Sequence, residues 1–485
     1  MKQLTTDIVV VAAGSSGLAA AVAAAEKGAK VIALEKGQTT GGTGNMGMGP
    51  LAVESRYQRR KNIGLTREEA FKQFMNYTHW RVDARMVKAY IDKSAGTIEW
   101  LEDMGVEFVE PAAYFPGANF TWHLVKPDVG RPGPQASATL MKRLTERAQE
   151  LGVKFYLQTI VKKIIKENGK VTGVIAEDKN GEEIQVSAGA VIIATGGFGD
   201  DPEMIKKYTN YEWGKDFFSF RIPGLLGEGI KMAWEAGAGS TDISIEMIYG
   251  TPGGGLMDAE LMLAFQQPSL LVNLLGERFM DEGIMGNTTF TGNAISIQKN
   301  RCGINIFDDD ILNVYINDGL DHLSLVFPIM NLKNFRDLLD GAVKQGADYF
   351  YACDSIDELA SKAGINGENL KKTIEEYNHA CETGRDSIFN KNIRYLRPIK
   401  TPKFYAAKLF PSAYGSLGGI KINYKCEVVT KDFETIPGLY AVGTDANAIY
   451  GDSYPFILPG NSMGFALNSG RIAGENAVDY MKTQK

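Results

Sequence analysis

The most regular pattern in the chain lies near its start. Ile8–Val11 is an unbroken apolar run rich in β-branched residues, which reads as a buried strand; Leu18–Lys27 is alanine-rich and reads as a helix; Lys30–Leu34 is a second short strand. The spacing predicts one strand–helix–strand unit with parallel strands. Similar signals return downstream. Val191–Tyr208, VIIATGGFGDDPEMIKKY, predicts an apolar strand ending in Ala194-Thr195-Gly196-Gly197 and then a helix. Ile436–Asn447 predicts another strand ending in glycine, and Gly460–Ala477 a small-residue turn that opens a helix.

Chemistry enters at the turn of the first unit. Backbone N–H groups and the positive end of the helix dipole converge there, and they suit a pyrophosphate. Gly14 permits its close approach, and Gly17 permits tight packing of helix on strand. Ala12 stands where such turns usually have their first glycine, so we expect it to keep a negative φ in a slightly reshaped turn. Glu35 ends the second strand about 20 residues beyond the turn, where a carboxylate can receive ribose hydroxyls and disfavour a 2′-phosphate. The segment Gly41–Pro50, GGTGNMGMGP, follows as a glycine-dense loop whose backbone could wrap a cofactor.

Composition narrows the partners. The chain has 485 residues, 44% hydrophobic and 23% charged, enough for two or three domains with sizeable cores. Its 52 Lys+Arg against 58 Asp+Glu give a net charge of −6, which offers no basic field to nucleic acid or an anionic membrane. Cys302, Cys353, Cys381 and Cys426 are scattered, with no CxxC pair; we read them as packing thiols in a reducing, cytoplasmic setting, with no metal site. Ile8–Ala25 carries no charge and approaches the length of a membrane span. Asp7 precedes it, however, small residues at 14–17 break it and a strand follows, so neither a span nor a signal is expected.

In this order and spacing the segments resemble the flavoprotein family of fumarate reductase and succinate dehydrogenase, which also includes ketosteroid dehydrogenases and urocanate reductases. The likeness spans nearly the whole chain and takes in Trp100–Phe108, Thr159–Val161, Gly224–Ala238, Val272–Glu282 and Glu368–Asn378. It implies an α/β fold: a Rossmann-like FAD-binding domain built from residues 1–245 and 400–485, with an inserted α+β capping domain at 246–399. It also implies FAD rather than NAD. By that resemblance the adenosine and pyrophosphate fall to Ala13, Gly14, Ser16, Gly17, Glu35 and Lys36, with the backbone of Val161 at the adenine. The loop contributes Gly41, Gly42, Thr43, Gly44, Gly47, Met48 and Gly49, and the second strand end contributes Ala194, Thr195 and Gly196. The ribityl chain and isoalloxazine fall to Gly418, Gly443, Thr444, Asp445, Asn461, Ser462 and Met463. Some members attach FAD through a histidine in the loop matching Gly41–Pro50; this loop has none, so noncovalent FAD is expected. CxxCH haem motifs are absent from the sequence, which reads as the catalytic unit alone.

Fumarate reductases of the family bind a dicarboxylate with His and Arg and deliver the proton from a further Arg. Here Met280–Gln298 contains no Arg, Lys or His; Tyr414 and Gly415 fall at the family's His; Ile457 falls at its substrate Arg; and Tyr249 is nearest to an expected His-Pro pair. Burying a dianion without cations costs several kcal/mol, which argues against fumarate or succinate. Tyrosines and apolar residues stand instead, including Phe456. Ketosteroid dehydrogenases polarise a ketone with Tyr hydroxyls, and one such Tyr precedes the C-terminal glycine turn near Tyr454-Pro455. The candidate acid/base residues are therefore Tyr454, Tyr414, Tyr249 and Tyr450, with no choice among them. Arg278 reads as a structural ion-pair residue, and His123 as either a ligand contact or a surface residue.

The expected function is an FAD-dependent oxidoreductase that reduces or forms a C=C bond conjugated to a carbonyl. Its substrate would be apolar or weakly anionic, steroid-like or an enone or enoate, with hydride passing through flavin N5 and the proton through a Tyr. The alternatives are a flavoprotein subunit of an electron-transfer complex, a fumarate-type reductase of an unsaturated carboxylate, and a flavin-binding protein whose catalytic site has decayed. The small-molecule substrate, the electron donor or acceptor and the oligomeric state stay open.

Overall fold

The computed structural model describes residues 2–218, 223–252 and 259–484. An 8-stranded sheet carries the first half of the sequence signals. Its centre is Lys2–Val11, flanked in parallel by Val31–Leu34 and Glu183–Ile193, so that Val9 lies between Ile32 and Val191. Thr435–Ala441 adds to the same parallel set beside Glu183–Ile193, and Lys154–Tyr156 beside Val31–Leu34. These strands lie in a sheet covered on both faces, which is why they read as continuous apolar runs. Val11, Leu34, Ile193 and Ala441 all end at one edge of the sheet. The loops that leave them therefore meet at the place where open α/β sheets bind their ligands.

The helix Ser15–Glu26 is buried from Ser16 to Ala25, on every face. Its outer face meets the C-terminal helix Asn461–Thr483, where Gly470 and Gly474 lie one turn apart. A Cβ at Gly470 would come within 2.3 Å of Ser16 O, and one at Gly474 within 2.4 Å of Ala20 O. Two backbones in contact leave room only for alanine and glycine, which explains the composition of Leu18–Ala25.

A second, 5-stranded antiparallel sheet holds Leu270–Asn273, Gly303–Asp308, Phe350–Cys353 and Phe404–Leu417, with Ser244–Gly250 on the last strand. It has its own core, in which Phe265, Phe307, Phe335, Phe350 and Tyr405 pack ring against ring. Phe404–Leu417 serves both halves of the molecule. Residues 404–409 pair with the capping strands Gly303–Asp308 and Phe350–Cys353, and residues 410–417 pair with Ser244–Gly250. Between Ala413 and Ser416 its register shifts, so that Tyr414 and Gly415 together oppose the single residue Glu246. A bulge of this kind bends the strand and re-aims a side chain.

Arg278 is the centre of a buried charge cluster in the capping half, as the sequence reading expects. Its guanidinium lies 2.7 Å from Glu282 and 2.8 Å from Asp386, and Lys391 lies 3.4 Å from Glu282. Removing one member leaves uncompensated charge in a dry interior, at a cost of about 3–5 kcal/mol. Arg278→Met is therefore expected to lower the urea midpoint of unfolding by that equivalent. An unchanged midpoint would show the cluster to be energetically idle. Cys302, Cys353 and Cys426 are buried and all four thiols are free. Among the described residues no cluster suits a metal ion, and no helix is long and apolar enough to cross a membrane.

Candidate active site

The loops after Val11, Leu34 and Ile193 open onto one elongated cavity of about 350 Å³. The helix Ser15–Glu26 points its N-terminus at this cavity, with no side-chain cap and no acid in its first turn, so its leading N–H groups and positive dipole end face an anion's place. Gly14, Ser16, Glu35 and Lys36 line one stretch, and Gly42 and Thr43 the next. Val161, Ala194, Thr195, Gly196 and Thr444 line the remainder. Thr39, Asn45 and Met232 line it too, none of them among the expected site residues, although Asn45 lies in the Gly41–Pro50 loop and Met232 in the Gly224–Ala238 segment.

The turn differs from expectation at Ala12, whose φ is +80 rather than negative. The cause is local. Ala12 N–H donates to Leu34 O at 2.7 Å, and the Ala12 carbonyl lies so close to Gly17 that a Cβ there would stand 2.1 Å from it. The turn keeps the glycine shape, and alanine bears a left-handed conformation at about 1–2 kcal/mol. Glu35 is held by two backbone donors, Ala13 N–H and Gly37 N–H, each at 2.7 Å from a different carboxylate oxygen. Lys36 turns toward Gly224 O and lies 2.8 Å from Glu228.

Several expected residues position the walls from behind. Asp445 is fully buried, and its carboxylate accepts from Thr195 N–H and hydroxyl, from Gly196 N–H at 3.1 Å and from Gly197 N–H at 2.9 Å. Burial pushes its pKa up, and these donors oppose the shift. Gly443 packs on Ser16, and its N–H donates to Ser469 at 3.0 Å. Gly41 N–H donates to Ala13 O at 2.8 Å, Gly44 lies against Ser15, and Gly47 touches Met463. Met48 O accepts from Val125 N–H and Gly49 O from Trp122, each at 2.8 Å, which ties the loop to the strand Trp122–Lys126. Gly418 N–H donates to Asn447 at 2.9 Å. Asn461 donates to Pro455 O and Leu458 O inside the turn that opens the last helix.

Beyond Thr444 the strand bulge and the last helix face each other. Tyr414 is 38% accessible although it lies deep in the protein, so it lines an internal cleft rather than the outer surface. Its hydroxyl hydrogen-bonds that of Tyr114, and this neighbour and burial push its pKa well up. Opposite the bulge, the Glu246 carboxyl receives the Ser462 hydroxyl at 2.9 Å on both oxygens and the Tyr454 hydroxyl beside it. Ser462 N–H in turn donates to Tyr454 Oη at 2.7 Å. An aromatic cluster packs beside these groups: Tyr114 stacks on Phe456 at 4.7 Å, and Tyr454 lies 4.7 Å from Phe456 and 4.9 Å from Tyr450. Among the described residues no cation pairs with Glu246, and burial pushes its pKa to about 8.

The FAD binding domain family matches residues 7–463. The chain belongs to this family. It is 34% identical to a vinyl phenol reductase of Lactiplantibacillus plantarum, covering 99% of this chain and 97% of that one. It is 31% identical to a urocanate reductase of Eggerthella lenta, covering 98% and 75%. In fold it resembles 3-ketosteroid Δ4-(5α)-dehydrogenase of Rhodococcus jostii, with a TM-score of 0.78 at 23% identity over 99% of this chain and 98% of that one. It is an FAD-dependent oxidoreductase acting on a carbon–carbon bond.

The residues present fit the cofactor. The uncapped helix N-terminus suits the pyrophosphate, Gly14 leaves open space where a side chain would intrude, and the acid at Glu35 sits on the cavity wall. The flavoprotein differs from the sequence reading in the catalytic set. Tyr249 donates its hydroxyl to Met285 O at 3.1 Å with its ring in the capping core, and Tyr450 donates to Asn461 O at 2.9 Å. Both phenols are committed to backbone carbonyls, so we drop them as acid/base candidates. His123 is neither a ligand contact nor a surface residue. It is fully buried, Nδ1 donating to Thr121 O at 2.9 Å and Nε2 accepting from Ser55 at 2.6 Å, with its pKa pushed to about 4 by burial. Glu246 and Tyr114 are the residues the sequence reading misses. The signal for Glu246 is a lone charge in the otherwise uncharged, mostly apolar run Ile243–Tyr249.

Glu246 also leaves a mark on stability. Folding raises its pKa from 4.5 to about 8, so the stability it contributes is full below pH 4.5 and is lost as pH rises through 8. Glu246→Gln is expected to melt with the wild type at pH 5 and several degrees above it at pH 9. Equal melting temperatures at both pH values would contradict the buried, unpaired carboxyl.

Proposed function

We propose that this flavoprotein reduces a carbon–carbon double bond conjugated to an aromatic ring, in a substrate that brings no carboxylate to the cleft. The observation that carries the reading is the bulge at Tyr414-Gly415, which presents a phenol to a cleft beside an aromatic cluster and a carboxyl that no cation pairs with among the described residues. Bound FAD, in its reduced form, supplies a hydride. Tyr414 donates the proton to the carbon next to the one that takes the hydride, and Tyr114, hydrogen-bonded to it, feeds a proton back from the cleft. Tyr454, its hydroxyl polarised by the Ser462 N–H that donates to it, is the donor to the substrate oxygen as charge develops there. The vinyl phenol reductase supports this substrate class over a carbonyl-conjugated enoate, because its substrate is an alkene on an aromatic ring.

Anaerobic reduction of the holoenzyme with dithionite, followed by addition of alkenes, tests the reading. The expected result is reoxidation of the flavin by 4-vinylphenol and not by fumarate. Reoxidation by fumarate alone, with 4-vinylphenol inert, would overturn it.

A further inference from the structure

We propose that Glu246 is the catalytic receptor for a phenolic hydroxyl, taking the hydrogen bond and then the proton of a para-hydroxystyrene, and that it excludes a carboxylate from the same place. The inference rests on the function proposed above and adds a base to it. Three features of the geometry support it. Glu246 lies directly across from Tyr414 and Gly415, so the base and the proposed proton donor face one cleft from opposite strands. Gly415 lies next to Glu246 Oε2, since a Cβ there would stand 3.7 Å from that oxygen, so the bulge brings the carboxyl and the Tyr414 backbone together. Ser462, which holds both carboxylate oxygens, also directs its N–H at Tyr454 Oη. A hydroxyl placed there meets an acceptor in Glu246; once the carboxyl has taken the proton, the Tyr454 hydroxyl that donates to it is released to turn to the resulting oxyanion, while Ser462 N–H stays on Tyr454 Oη. Where Glu246 is ionised, a carboxylate placed there meets a like charge with no cation among the described residues to offset it.

The step balances. Glu246 takes the phenolic proton, and the electron pair freed on oxygen moves through the ring to the terminal alkene carbon, which takes a proton from the Tyr414 hydroxyl and becomes a methyl group. The quinone methide so formed is electrophilic at its benzylic carbon, where bound reduced FAD would supply the hydride. The ring returns to a phenolate, which recovers its proton from Glu246. One hydride and one proton are added in total, and Tyr414 is reprotonated through Tyr114.

Burial supports the role, since a carboxyl titrating at about 8 is a stronger base than an ordinary one. Tyr114, Tyr414, Tyr450 and Tyr454 are the titratable groups recorded around it, and each has its own pKa pushed up. In the wild type, kcat/KM for 4-vinylphenol should therefore rise with pH through about 8.

The experiment compares three alkenes that differ only at the para position: 4-vinylphenol, styrene and 4-vinylbenzoate. With the wild type, 4-vinylphenol should exceed both others by about 100-fold or more in kcat/KM. Oxidised holoenzyme titrated with 4-ethylphenol, ethylbenzene and 4-ethylbenzoate should show the same order through perturbation of the flavin absorbance, a readout independent of turnover. Glu246→Gln should lose at least about tenfold in affinity for 4-ethylphenol, leave ethylbenzene unchanged and narrow the gap to 4-ethylbenzoate. Its pH profile should lose the rise near 8. Equal use of 4-vinylphenol and styrene by the wild type would overturn the role of Glu246 while leaving the alkene reductase reading intact. Reoxidation by none of the three alkenes would overturn both.

Discussion

Tyr414→Phe should leave a folded, yellow protein whose reduced flavin is reoxidised by its alkene about 10²–10⁴-fold more slowly. The size follows from what a positioned acid contributes when it protonates carbon, and from the absence of a substitute. Tyr454 is committed to Ser462 N–H and to Glu246. Tyr249 and Tyr450 donate to backbone carbonyls. Removing the Tyr414 hydroxyl leaves Tyr114 as the nearest donor, one hydrogen bond too far away. The ring stays, so packing and flavin content should stay with it. Tyr249→Phe and Tyr450→Phe are the controls: each loses one buried hydrogen bond, about 1 kcal/mol of stability, and keeps its turnover. Stopped-flow reoxidation at saturating alkene separates the outcomes. If Tyr414→Phe keeps its rate while Tyr249→Phe loses it, the assignment of the cleft is wrong.

The parts of the molecule that sequence made legible are those that backbone periodicity controls. Ile8–Val11, Val191–Ile193 and Leu439–Ala441 are strands because they are apolar without interruption, and they pair in parallel with one another. Once they are placed, the loops after them must meet, and the residues lining the cavity follow. The catalytic cleft depends on features with no periodic signature. The bulge at Tyr414-Gly415 is one extra residue in a long strand, and it alone decides that this tyrosine faces the cleft. Tyr249 looks equally eligible in sequence, yet its hydroxyl turns to Met285 O in the capping core. Glu246 is a single charge in an apolar strand, which becomes informative only when Ser462, over 200 residues away in sequence, proves to be its partner. Ala12 shows the reverse case. Its identity argues for a negative φ, but the contact between its carbonyl and Gly17 fixes the turn first, and the side chain accepts the strain.

The second large effect is expected at a fully buried residue behind the cavity wall. Asp445→Ala should yield a protein that loses its flavin on gel filtration. The Asp445 carboxylate gathers the N–H groups of Thr195, Gly196 and Gly197 and the Thr195 hydroxyl. Thr195 and Gly196 form the cavity wall, and Gly229 N–H, at the start of the helix Glu228–Glu235, donates to the same Thr195 hydroxyl at 3.1 Å. Each donor left without an acceptor in a buried place costs about 1–3 kcal/mol, so three backbone donors together cost about 3 kcal/mol even at the low end. The loop can escape that cost only by moving its N–H groups to water, which means opening the wall. A penalty of 3 kcal/mol or more on the binding conformation raises the dissociation constant for FAD by about 100-fold or more. Asp445→Asn keeps one acceptor oxygen but turns an NH₂ toward the remaining donors, so it should fall between the two. Reconstitution of apoprotein with FAD, followed by the quenching of flavin fluorescence, gives the dissociation constants directly. Full flavin retention by Asp445→Ala would mean that the loop after Ile193 holds its shape without the carboxylate, and that the strand ends rather than this buried acid build the cavity wall.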